Sequence, residues 1–101
     1  MYDMISIKKL PKLGSRASKA WQAFVAFDKA ALADGAIPKK YKELIAIAVA
    51  LTTQCPYCIE IHADAARKAG ASEEELAEAG FVAAALRAGA AVTHATHLIK
   101  D

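Results

Sequence analysis

Aromatic side chains are scarce in this 101-residue chain, which has one Trp, three Tyr and three Phe. A core built mainly on ring packing is therefore excluded, and much of the apolar surface falls to alanine, which occupies 25 positions. Alanine is the best helix former but adds little buried area per residue. A strong excess of one charge is also missing: 13 basic and 11 acidic residues leave a net +2. That is too near balance for a nucleic-acid partner or an anionic membrane surface. The longest apolar run, Leu44 to Leu51, has eight residues, where a membrane span needs about 20. The first fourteen residues carry Lys8, Lys9 and Lys12 and no continuous apolar segment, so no secretory signal is legible and a cytoplasmic protein is expected. Sustained two-residue alternation and hairpin turn signals are lacking too, which excludes a sheet.

What is present fits one small domain. A domain of this size buries only roughly 60–70% of the surface its unfolded chain exposes. With 55% apolar residues and little bulk per residue, further burial against copies of itself is expected, hence a homo-oligomer. The expected fold class is all-α, with about five to six helices. A short irregular arm over residues 1–14 precedes a helical domain over 15–101. Ser15 can cap a first helix to about Asp34, with Trp21, Phe24, Val25, Phe27 and Leu32 on one buried stripe and Gly35 as its left-handed stop. Pro38 opens a second helix to about Thr53, apolar all round from Leu44 and expected to be central and buried. The cluster Lys39, Lys40 and Lys42 reads as its solvated first turn, or as a small anion site. Pro56 opens a third helix to Lys68, closed by Gly70. Ser72 and Glu75 form a capping box for a fourth helix to about Arg87. Gly89 breaks or kinks it before a last segment over Thr93 to Ile99.

Two cysteines three apart, Cys55 and Cys58, in a compartment that keeps thiols reduced point to catalysis or metal binding rather than a structural staple. At a helix start, free N–H groups and the dipole favour the thiolate, and the spacing lets the sulfurs close a disulfide. His62 lies one turn beyond Cys58 on the same face and can take the thiol proton. The dipole alone favours Cys55 as the more acidic thiol; proximity to His62 favours Cys58. Glu43 joins them if the second and third helices fold back on each other. The axial rise places it about 18 Å and His62 about 10 Å below Cys55, a mismatch that calls for a bridging water or a bent helix. Without that role, Glu43 reads as a dipole-compensating acid in a first turn.

Glu43, the apolar helix, Cys55-Pro-Tyr-Cys58 and His62 four residues on together resemble the alkylhydroperoxidase D (AhpD) branch of the carboxymuconolactone decarboxylase superfamily. So do the stretch from His62 to Ala71 and the closing Gly-Ala-Ala-Val-Thr-His-Ala-Thr-His, and the likeness spans roughly residues 20 to 98. The resemblance implies an AhpD-like helical domain in trimers or hexamers, with peroxidase activity towards (alkyl)hydroperoxides. It implies Cys58 as the peroxidatic thiolate, Cys55 as the resolving thiol, and Glu43 with His62 as a proton relay. It implies no bound cofactor, but a dithiol reductant such as a lipoyl group on a partner protein, with a peroxiredoxin as another partner. Tyr57 stands where some members have a histidine, a departure that bears on rate and substrate. The rival readings are a zinc site of Cys55, Cys58 and His62 with His94 or His97, a non-redox decarboxylase-like enzyme, and an oligomeric oxidant sensor. His94 and His97 are otherwise expected in packing or at an interface.

Overall fold

The computed structural model describes residues 4–101. Five α-helices and two 3-10 segments account for most of them, with no strand among the described residues. The all-α expectation is met. The start is not irregular, however. A 3-10 segment, Met4–Lys9, runs into α1, Leu10–Arg16, with Pro11 in its first turn where a missing N–H costs nothing. The first three residues of the expected arm lie outside the described residues.

Ser15 is not a cap: it lies inside α1 and its hydroxyl donates back to the Lys12 carbonyl at 2.8 Å. A separate helix, α2, spans Ser18–Leu32 with no side-chain cap. Gly14 fits against the Trp21 ring so closely that an added Cβ would lie 2.6 Å from it. This contact seats α1 on α2. The stripe on α2 is not buried within the chain: Phe24 is 55% and Phe27 70% exposed. Gly35 is not left-handed either, since only Gln54 and Gly70 have positive φ among the described residues. Lys42 marks the end of α2 instead, its ammonium donating to the Ala31 and Ala33 carbonyls at 2.9 and 2.7 Å. A cation there satisfies free carbonyls and complements the helix dipole.

α3, Lys39–Thr53, follows Pro38, which sits at the N-cap rather than inside the first turn. The Asp34 carboxylate accepts from the Lys39 N–H at 2.6 Å and secures that start. α3 packs on both α4, Pro56–Lys68, and α5, Glu73–His94, and so is central. It is buried on one face only: Ile47 and Ala50 are enclosed, whereas Ile45 and Val49 are half exposed. Gln54, at φ 57°, ends α3 in the left-handed region and turns the chain into α4. Gly70, at φ 97°, ends α4 likewise.

The capping box of α5 is formed as expected: Glu75 N–H donates to the Ser72 hydroxyl and Ser72 N–H to the Glu75 carboxylate. Lys40 adds an ion pair to Glu75 at 2.9 Å, joining α3 to α5. The Ser72 N–H and then the Lys40 ammonium hold the Glu75 carboxyl below the usual carboxylate range. Any stability from this link is present near neutrality and fades as pH falls. The lysine cluster is thus neither a plain solvated turn nor an anion site, because Lys39, Lys40 and Lys42 each engage internal partners.

α5 runs straight through Gly89 to His94, followed by a 3-10 turn, Ala95–Leu98. A helix-interior glycine costs only about 1 kcal/mol against alanine, and this one is flanked by alanines. The continuous segment Glu73–Leu98 is long and apolar enough to cross a membrane by length and composition, which the short unbroken apolar runs do not reveal. Here it packs on α3, and Arg87 donates to the Thr52 carbonyl at the α3 C-terminus. His94 and His97 are exposed and meet edge to face, their rings 5.7 Å apart.

Candidate active site

Cys55 is the N-cap of α4, in extended conformation, with Pro56 as the first helical residue. Its sulfur accepts from the Cys58 N–H at 3.2 Å, in the place a serine or aspartate oxygen takes at other helix starts. Cys55 and Cys58 form a disulfide across Cα atoms 5.3 Å apart. The spacing read from the sequence is therefore realised. In solution, mild oxidation of the reduced protein should remove two hydrogens by mass, and dithiothreitol should restore them. Two free thiols surviving a tenfold excess of peroxide would refute this.

Glu43 lies in the second turn of α3, not the first, so it is poorly placed to compensate the dipole. It is the one charged residue buried among the described residues, 2% exposed. Burying a carboxylate is costly unless it is paired, and both oxygens are: Oε1 lies 3.1 Å from the Lys39 ammonium and Oε2 2.7 Å from His62 Nδ1. No bridging water or bent helix is needed. A carboxylate only accepts, so the contact sets Nδ1 as the donor and leaves Nε2 of a neutral ring free to take a proton. Lys39 went unrecognised in the sequence. The signal available was its i, i+4 spacing to Glu43.

Cys58 and His62, one turn apart, line the same pocket of about 490 Å³. Tyr57 and Ile61 flank them on α4, and Trp21 and Phe24 contribute from α2. Cys55 is not among the residues lining it. The structure thus brings together all four residues singled out from the sequence: Glu43 against His62, Cys55 bonded to Cys58, and Cys58 beside His62 on one pocket wall. Among the described residues no three His, Cys, Asp or Glu side chains converge as a metal-binding group.

Residues 19–101 match the carboxymuconolactone decarboxylase family. Over 73 residues the chain is 56% identical to "Uncharacterized protein 4 in cox locus" of Paracoccus denitrificans, covering 72% of this chain and 66% of that protein. An uncharacterized protein of Haemophilus influenzae is 45% identical over 59 residues, covering 58% of this chain and 52% of its own. The chain thus spans less than two thirds of the length of these curated relatives. Among solved structures, an apo carboxymuconolactone decarboxylase family protein from Legionella pneumophila superposes with a TM-score of 0.76 at 36% identity, covering 89% of this chain and 80% of that one. A protein from Methanobacterium thermoautotrophicum gives 0.80 at 34% identity, covering 85% and 97%. On this match, and with its Cys-x-x-Cys pair, the chain belongs to the carboxymuconolactone decarboxylase family as an AhpD-like member.

Proposed function

We propose that the protein is a thiol-dependent hydroperoxide reductase. The observation that carries this reading is one continuous arrangement: a Cys55–Cys58 disulfide whose Cys58 shares a pocket with His62, itself bonded to the buried Glu43. In the reduced protein His62 takes the Cys58 proton, and Glu43 steadies the resulting imidazolium. The thiolate attacks one peroxide oxygen, the O–O bond breaks, and the departing alkoxide takes the proton from His62 and leaves as an alcohol. Cys58 is then a sulfenic acid. The Cys55 thiol attacks its sulfur, water departs, and the disulfide forms. A dithiol supplies two electrons and two protons to reopen it; a lipoyl group on a partner protein is the reductant the family resemblance suggests, with a peroxiredoxin as another redox partner. This chemistry suits the cytoplasm, where such dithiols stay reduced. A non-redox decarboxylase has no use for the disulfide, so nothing in the site favours that alternative. Catalytic loss of hydroperoxide under a dithiol reductant tests the reading; a protein that consumes none would overturn it.

Assembly belongs to the same proposal. The Cα radius of gyration is 16.9 Å, against about 13 Å for a compact 100-residue domain. Phe27, Phe81 and Val92 are each at least 70% exposed. Among the described residues the enclosed apolar ones are Ile47 and four alanines. Copies of the chain, as a homotrimer or homohexamer, would cover these faces. Light scattering at micromolar concentration should give a multiple of 10.7 kDa. A clean monomer mass would contradict it.

A further inference from the structure

The pocket over Cys58 is closed partly by a segment that precedes the family match. Ser6, Ile7 and Leu10, from the N-terminal 3-10 segment and the start of α1, line it together with α2 and α4, whereas the match begins at residue 19. The segment is held in place from two sides: the 3-10 turn touches α4, which carries Cys58, and α1 packs on α2 through the Gly14–Trp21 contact. Hydrogen peroxide, with two heavy atoms, displaces roughly the volume of one or two waters, on the order of 30–60 Å³. It would leave most of the 490 Å³ pocket unfilled. An organic hydroperoxide with an apolar body would instead displace water from Ile7, Leu10, Trp21 and Phe24, which is favourable. Among the described residues that line the pocket, Asp28 alone is a carboxylate, and it opposes a substrate that carries a negative charge of its own.

Resting on the hydroperoxide reading above, we propose that Ile7, Leu10 and Asp28 determine specificity. They select neutral hydroperoxides with an apolar organic body over hydrogen peroxide and over hydroperoxides that carry a carboxylate. The test compares the unmodified protein, an Ile7→Ala/Leu10→Ala double variant and Asp28→Asn on cumene hydroperoxide, hydrogen peroxide and linoleic acid hydroperoxide, under one dithiol reductant. In the double variant the ratio of kcat/KM for cumene hydroperoxide to that for hydrogen peroxide should fall roughly tenfold or more, the usual effect of lost apolar contact with a substrate, and the fall should lie mainly in KM. In Asp28→Asn, which keeps the side-chain shape, the ratio for linoleic acid hydroperoxide over cumene hydroperoxide should rise several-fold. A segment with only a structural role would lower all three substrates alike. Unchanged ratios with turnover retained would therefore overturn this proposal and leave the peroxidase reading standing. No turnover of any peroxide by the unmodified protein would overturn the peroxidase reading itself, and this proposal with it.

Discussion

Cys58→Ser should abolish hydroperoxide consumption, because it removes the nucleophile that shares the pocket with His62. A serine hydroxyl beside a neutral imidazole is not a practical nucleophile towards peroxide oxygen, so the loss should reach the detection limit. Cys55→Ser should behave differently. The attack survives but the resolving thiol is gone, so the protein should complete one turnover and stop with a sulfenic acid at Cys58 that dimedone labels. The position of the two sulfurs supports this order: Cys55 is engaged at the helix cap by the Cys58 N–H, whereas Cys58 faces the pocket. The helix dipole favours ionisation of Cys55 but does not give it access to the pocket. Dimedone labelling of Cys55 in Cys58→Ser, with none of Cys58 in Cys55→Ser, would reverse the two roles.

His62→Ala should slow the first step by roughly 10²–10⁴-fold, the range for lost acid–base assistance. It should also cost about 1–3 kcal/mol of stability, because Glu43 Oε2 loses its partner at a buried position. His62→Gln separates the two effects. An amide can still donate to Glu43, so stability should largely return, but it cannot shuttle a proton, so the rate should stay low. Glu43→Gln should slow the reaction less than either, since Glu43 acts through the imidazole rather than on sulfur. Rapid-mixing kinetics on the reduced variants, with thermal melts alongside, check all three. A His62→Gln protein as fast as the unmodified one would show that His62 serves packing alone.

The points where physical chemistry leaves few choices were legible in the sequence. Pro56 starts α4, Gly70 ends it, and Ser72 with Glu75 starts α5, because a missing N–H, a left-handed residue and a reciprocal cap each suit only a helix end. Gly89 misled because a single glycine among alanines is a small cost, not a stop. Periodicity on α2 correctly marked an apolar face, but a pattern of that kind carries no information on what covers it, and within one chain Phe24 and Phe27 stay exposed. The candidate site was legible as a set of residues and not as a geometry. Axial rise implied a gap between Glu43 and His62, yet their side-chain atoms meet at 2.7 Å. Rise per residue says nothing of how two helices cross or how far long side chains reach. Lys39 was hidden for a related reason: a lysine beside two others reads as surface until its partner is known to be buried.

Single-turnover kinetics decide whether Cys55 and Cys58 reduce a hydroperoxide. Fully reduced protein would be mixed with a slight excess of cumene hydroperoxide and no added reductant, with thiols and alcohol product quantified over time. One equivalent of cumyl alcohol per chain should form as both thiols disappear into the Cys55–Cys58 disulfide. Thiols that persist while the hydroperoxide remains intact would contradict it.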